Sequence, residues 1–475
     1  LVLYLFLFNI IMCRWFPIVF HMITVTQTPL VRFKISVEEI AKRLGHIQGH
    51  IDLSLLKESE DYILSPGGVT RMVYPFLRKL VNMGGSPWWV SLNPQAPQVV
   101  VVDGIKIYHV SVPAEKIKGY GKAKEVIWGT LHMIDESSSQ AQDLMWMDEY
   151  IDYIYYNRRV AQAVDLLDRE EDFDVIYVHD FQHIPLGTML TSMKPRIFRW
   201  HIPLETSLIP DSWISSLDLY LNKYDTIIVS SKRYSKNLVE MGYRGRVVEM
   251  YPYIDPTQYK TPSRDEVERF ASRYGIDPDD KLILVVARMD PMKGHDRAIK
   301  ALKLVKKEIP EARLMLVGNG SFSSSKNGIG LSKGERWARY LSSLANELGL
   351  AGYVIMTGYL GQRDLEAAYS RADVILLPSI IEGFGLVVVE GWLYRKPAIV
   401  SYNAGVADLI RDGENGFIVD PNDIDDIAAK IKIILKNYKL AEELGTRGYD
   451  TSKRCYIDTI FKEEMEIIEK TIEGR

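Results

Sequence analysis

The sequence predicts an α/β protein built from two doubly wound domains that face each other across a cleft. Apolar runs of strand length alternate with amphipathic helical segments through most of the chain, the pattern of helices packed on both faces of parallel sheets. The theme is stated twice, on either side of a Pro- and Tyr-rich stretch without apolar periodicity, MYPYIDPTQYKTPS at Met250 to Ser263. The 475 residues give length for two or three domains at roughly 150 residues each.

Taken in order, the chain opens on LVLYLFLFNIIMCRWFPIVFHMI, Leu1 to Ile23, an apolar run nearly long enough to span a bilayer. No basic region precedes it, Arg14 and Pro17 interrupt it, and no small-residue cleavage site follows. The first residue is Leu, and Met22 stands just before the polar TVTQTPLVRF, so residues 1–25 are expected to be a spurious leader, with a membrane anchor as the alternative. In the first half QVVVVDGIKIYHV, DVIYVHD, RIFRWHI and DTIIVSS read as strands. In the second half KLILVVARM, ARLMLVG, YVIMTGY, DVILLPS and PAIVSYN repeat the pattern. Helices are expected near DRAIKALKLVKKEI, RWARYLSSLANELG, DLEAAYSRA and DIAAKIKIILKNY. The boundaries that follow are 26–255 and 256–450 for the two domains, with an amphipathic helix in 451–475.

Composition narrows the partners. Fifty-eight Lys plus Arg against 62 Asp plus Glu leave a net charge of −4, with no global basic field to attract nucleic acid. At 47% hydrophobic and 25% charged residues the bulk is globular, and a membrane partner is not expected. Two cysteines, Cys13 and Cys455, lie at opposite ends with no second thiol at metal-ligand spacing, which suits a reducing cytoplasm and no structural metal. A homo-oligomer is compatible with the sequence.

The strongest constellation is DVILLPSIIEGFGLVVVEGW. An apolar strand runs into a loop at Ser379 and Glu382, and a helix begins around Gly383-Phe384-Gly385-Leu386. Free N–H groups at that start favour a phosphate, and glycines let a ligand approach the backbone. Glu382 stands at the mouth, and Glu390 lies about two helical turns further on, able to touch another part of an elongated ligand. One carboxylate would bind hexose hydroxyls and the other a ribose. A dipole-complementing acid and a surface charge are the bland alternative, but doubly wound folds bind ligands at this place, outside the carboxyl ends of strands.

In LILVVARMDPMKGHDRAIKAL a strand ends at Arg288 and a helix begins near His295, with Lys293 between. Guanidinium and ammonium together can clamp a diphosphate. Asp296 is expected to cap the helix, and His295 is given no catalytic role. In the first half Gly67-Gly68 precede an amphipathic helix, a further anion or sugar contact. VIYVHD stops at His179-Asp180 and RIFRWHIP at His201, both facing the same cleft. Gly318, in the turn LVGNG, would approach the nucleotide, without a full dinucleotide fingerprint. P-loop, nucleophile-elbow and zinc-peptidase signatures are missing from the sequence, which removes those readings.

ARMDPMKG, IEGFGLVVVEGW and NAGVADLIRDGENGFIVDP resemble the donor half of retaining GT-B glycosyltransferases of the family 4 kind, over most of Leu282 to Pro421. The departure is Asp408, where that pattern has Glu. KGYGKAKEVIWGTLH, DVIYVHDFQHIPLG and RWHIPLE resemble trehalose-forming enzymes, both trehalose-6-phosphate synthases and glucose-using trehalose synthases. The resemblance implies a GT-B fold of two Rossmann-like domains, 26–255 binding the acceptor and 256–450 the nucleotide sugar. The closing helix would cross back to the first domain. It implies that Arg288 and Lys293 bind the donor diphosphate, Glu382 the transferred glucose and Glu390 the ribose. His201 would line the glucose site, and Asp180 would contact acceptor or glucose hydroxyls. The expected partners are a sugar nucleotide (UDP-glucose, ADP-glucose or GDP-glucose) and a sugar acceptor. No cofactor is required, although Mg²⁺ stimulation through the diphosphate stays open. The expected reaction joins glucose from the NDP-glucose to glucose, giving α,α-trehalose. Alternatives are glucose 6-phosphate as acceptor, α-glucan synthesis, or a sugar-nucleotide-binding regulator without turnover.

Overall fold

The computed structural model describes residues 20–44, 50–65, 67–132, 144–319 and 329–474. The apolar runs form two sheets. The first comprises β1 (Met22–Val25), β3 (Ile51–Asp52), β5 (Trp88–Leu92), β6 (Val99–Val102), β7 (Ile105–Val110), β8 (Val175–His179), β9 (Arg196–Arg199), β10 (Thr226–Val229) and β11 (Arg246–Glu249). Its order is β11-β10-β9-β8-β1-β5-β7-β6-β3, parallel throughout except for β6 against β7. A short antiparallel pair, β2 (Val31–Phe33) and β4 (Tyr62–Leu64), stands apart from it.

The second sheet is wholly parallel, in the order β14-β13-β12-β15-β16-β17. Its strands are β12 (Lys281–Val286), β13 (Ala312–Val317), β14 (Val354–Gly358), β15 (Val374–Leu377), β16 (Ala398–Ser401) and β17 (Phe417–Val419). The strand order reverses between β12 and β15, and in the first sheet between β1 and β8. These are the switch points where doubly wound sheets open a crevice at their carboxyl ends.

The helices that matter for the site are α1 (Gly68–Asn82), α2 (Ala114–Leu131), α3 (Asp148–Glu171), α4 (Lys232–Glu240), α5 (His295–Val305), α6 (Leu386–Leu393) and α7 (Ile457–Glu473). Both faces of each sheet are covered by packed apolar layers. Met72, Phe76 and Leu80 of α1 share one of these layers with Ile460, Phe461 and Ile468 of α7, so the chain's closing helix lies against the first sheet. Among the described residues, no helix is long and apolar enough to cross a membrane.

Two expectations need correction. Residues 1–25 were to lie outside the fold, yet Met22, Ile23, Thr24 and Val25 are buried and pair with both β5 and β8 in the middle of the sheet. Four β-forming residues were hidden by the apolar run before them, most of which lies outside the described residues. QVVVVDGIKIYHV is a hairpin rather than one strand. Asp103 and Gly104 take φ of 49° and 78°, the two left-handed residues of a tight turn that an Asp-Gly pair supplies.

Candidate active site

A cavity of about 490 Å³ lies where the carboxyl ends of the two sheets meet. Asp180 and His201, after β8 and β9, line one side, and Arg288, Lys293 and Glu382, after β12 and β15, line the other. Gly68, Gly383, Phe384, Gly385 and Leu386 complete the wall between them.

The second-sheet side is set by two loops flanking the switch point. Asp290 caps a short turn through the Met292 N–H, and Gly294, at φ 72°, turns the chain into α5. That turn buries Lys293, whose Nζ donates to Glu382 Oε2 at 2.8 Å. Asp296 does not cap α5 as expected, because Gly294 occupies the cap position; it pairs instead with Arg297 and Lys300. His295 is buried behind the loop and receives the Trp337 indole N–H at 3.4 Å. Gly385, at φ 102°, starts α6 without a side-chain cap, and Gly385, Leu386 and Val387 of that helix start line the cavity.

Glu390 opens into an adjoining recess of about 320 Å³ that it shares with Arg71, Tyr259, Gln362, Gly68 and Leu386. Its two oxygens accept from Tyr259 (2.8 Å) and Tyr369 (2.7 Å), which hold a 7% exposed carboxylate in place. Gly67 caps α1 without lining either cavity. Gly318 also lines neither: a side chain there would collide with the Ala287 carbonyl oxygen, so it serves close packing beside Arg288.

On the first-sheet side Asp180 takes φ 70° and ψ 168°, a region that only glycine adopts freely. Its Oδ1 accepts the His201 backbone N–H at 3.4 Å, and burial pushes its carboxyl up to about 7. A strained, buried acid at a strand end facing a cleft carries the mark of a functional group. His201 Nε2 lies 3.0 Å from His179 Nδ1, and burial, with Arg199 nearby, holds both rings neutral.

Among the cavity residues that the sequence reading did not single out are Trp128 and His132, one turn apart at the end of α2. The Trp128 ring lies under the Arg288 guanidinium at 4.9 Å and stacks on His132 at 4.3 Å. Burial first, then Arg288 and Lys293, keeps His132 uncharged. They sit within KGYGKAKEVIWGTLH, where a helix of low amphipathicity gives no cue that its last turn enters a cleft. Among the described residues no group of three or more His, Cys, Asp or Glu stands together as a metal site.

The halves also touch directly. Ser230 Oγ donates to the Gly383 carbonyl (3.1 Å) and Tyr234 OH to that of Glu382 (3.0 Å). Asp408, the residue that departs from the family pattern, accepts the Lys232 N–H at the start of α4 (3.1 Å).

Two doubly wound sheets meeting over a cation-and-carboxylate cleft, with the last helix returning to the first sheet, define a glycosyltransferase of the GT-B fold. Residues 266–451 match the family "Glycosyl transferases group 1", and residues 139–236 match "Trehalose synthase, N-terminal domain". The chain belongs to the group 1 glycosyl transferases. It is similar to the trehalose synthase of Thermococcus litoralis, 31% identical over 309 residues, 65% of this chain and 71% of that one. Among solved structures, the trehalose-6-phosphate synthase OtsA has a TM-score of 0.72 at 16% identity, over 96% of this chain and 99% of that chain. A trehalose-6-phosphate structure from E. coli bound with UDP-2-fluoro glucose gives 0.72 and 16%, over 95% and 99%. At that identity these two speak for the fold.

Proposed function

We propose that the protein is a retaining glucosyltransferase that moves glucose from an NDP-glucose to free glucose, forming α,α-trehalose. The observation that carries this reading is one cavity bringing Arg288, Lys293 and Glu382 opposite Asp180 and His201. A nucleotide-sugar donor is further supported by the UDP-2-fluoro glucose of the E. coli neighbour, and the product by the name of the Thermococcus relative.

In this reading residues 26–255, together with β1, bind the acceptor and 256–450 the nucleotide sugar. Arg288 grips the diphosphate through paired N–H donors and Lys293 as a point charge, while the N–H groups opening α6 add partial positive charge. Lys293 exchanges Glu382 for phosphate when the donor binds, freeing Glu382 for hexose hydroxyls. Glu390, preset by Tyr259 and Tyr369, takes the ribose in the adjoining recess. As the bond from C1 to the diphosphate breaks, the acceptor hydroxyl attacks C1 from the same face. The departing phosphate oxygen takes the acceptor proton. Cations placed on the developing negative charge supply the main stabilisation. His201 and Asp180 orient hydroxyls of the glucose units.

Free glucose is favoured over glucose 6-phosphate by the distribution of charge. Among the described residues lining the main cavity the cations are Arg288 and Lys293, both on the donor side. Of the first-half cations that could read a second phosphate, Arg78 pairs with Asp103, Lys122 with Glu149, Lys118 is exposed and lines neither the main cavity nor the recess, and Arg71 faces the Glu390 recess. Incubation with UDP-, ADP- or GDP-glucose and each acceptor tests this. A disaccharide with free glucose is expected. Product only with glucose 6-phosphate, elongation of a glycogen primer, or donor binding without turnover would each overturn it.

A further inference from the structure

Behind the cleft wall lies a buried polar stack that the proposed reaction does not use directly. His201 faces the cavity, and its Nε2 is taken up by His179 Nδ1 at 3.0 Å. His179 is 2% exposed, and its other nitrogen, Nε2, is buried without a hydrogen-bond partner. The His179 ring stacks on Tyr177 at 4.4 Å. Tyr177 donates its hydroxyl to Glu464 of α7, and Glu464 accepts from Arg199 Nη1 at 2.6 Å. Arg199 is 2% exposed, with its guanidinium 5.3 Å from the centre of the Tyr253 ring. Burial is the largest influence and opposes that charge, but Glu464, Tyr177 and Tyr253 together outweigh it and keep Arg199 cationic.

Of the two proton arrangements open to the pair, one costs less. The two ring nitrogens share a single hydrogen, so one ring donates and the other accepts. Were His201 the donor, His179 would carry its own proton on Nε2, a buried N–H with no acceptor in a region already holding a cation. A bare nitrogen there is the lesser penalty, since orphaned buried N–H groups are the rarer kind. His179 therefore keeps its proton on Nδ1 and donates it. His201, uncharged, must hold its own proton on Nδ1, the nitrogen with no partner among the described residues. The charged and titratable groups facing the pair are Arg199, Glu464, Tyr177, Tyr253 and His183 from behind, Asp180 beside it on the same wall, and Arg288, Lys293 and Glu382 across the cavity.

We infer that His179 is a positioning residue that fixes His201 as the Nδ1-protonated tautomer, so that His201 offers the bound sugar a hydrogen-bond donor. Burial first, and then Arg199 beside the pair, denies either ring a second proton. The role of the donor rests on the glycosyl-transfer reading of the cleft; the tautomer does not.

Nitrogen-15 histidine labelling of the full chain, with two-bond proton–nitrogen correlation, reads the tautomer without substrate, and a His201→Gln spectrum assigns the signal among nine histidines. The expected spectrum shows His201 protonated on Nδ1 and bare on Nε2, unchanged between about pH 5 and 8. His179→Asn, whose amide replaces the donor, should keep that pattern and most of the turnover. Folded His179→Phe should show mixed tautomers and a kcat lower by roughly tenfold or more, with KM moving far less. A wild-type signal protonated on Nε2, or on both nitrogens, overturns the inference even if His179→Phe fails to fold. Unchanged kcat in folded His179→Phe overturns the positioning role. A preparation with the expected tautomer but no transferase activity would count against the proposed reaction alone.

Discussion

Lys293 Nζ and Glu382 Oε2 stand 2.8 Å apart, joining the loops that leave β12 and β15 across the switch point of the second sheet. In the proposed reaction the ammonium takes phosphate and the carboxylate takes hexose hydroxyls, so donor binding is expected to separate them. Lys293→Ala and Arg288→Ala are expected to lower turnover roughly 10²- to 10³-fold while leaving the fold intact. Steady-state kinetics beside a thermal melt of each variant checks this.

Asp180 links pH to stability. Its carboxyl is pushed up to about 7 by burial, above the ordinary 3.8, so the folded chain holds the proton through that interval and the unfolded chain does not. Stability from this group is therefore lost as pH rises from about 4 to about 7. Asp180→Asn should melt higher than the wild type at pH above about 7, differ less at acid pH, and still lose roughly tenfold or more in turnover. Melting curves across the pH range decide the first half and kinetics the second.

Gly383 sits against the carbonyl oxygen of His201, which would lie 2.8 Å from any Cβ placed there. The neighbour is backbone and cannot swing aside. Gly383→Ala should lose about 1–3 kcal/mol of stability and widen the gap between the sheets, with turnover falling as well. Chemical denaturation and kinetics of the single variant are enough to test it.

Glu464 and Arg199 form an ion pair whose side chains are 1% and 2% exposed. Glu464→Ala leaves a buried cation unpaired and should cost about 3–5 kcal/mol, whereas Glu464→Leu combined with Arg199→Met should recover most of that loss. A double-mutant cycle in urea measures both. Additive losses in the double variant would contradict the pairing.

The architecture was largely legible because its strands are apolar runs buried on both faces, and KLILVVARM or DVILLPS can be little else. Arg288, Lys293 and Glu382 were legible for a related reason, since strand ends beside glycines are where a doubly wound sheet meets its ligand. What escaped was of two kinds. Asp103-Gly104 was local and could have been read as a turn. The Arg199–Glu464 pair joins residues 265 apart and has no local signature, and Trp128 reaches the cleft only through the packing of α2 against α3. Glu390 stood in the sequence as a ribose contact or a surface charge, with no sign of the tyrosines that hold it, which come from two other segments, around Tyr259 and Tyr369.

Proton NMR of the first product formed from NDP-glucose and free glucose tests the account most directly, run in parallel with Lys293→Ala. Retention gives α,α-trehalose as the first species seen, with its formation slowed at least a hundredfold in the variant, about the worth of one electrostatic contact. A β-linked first product, or an undiminished rate without Lys293, would contradict the account.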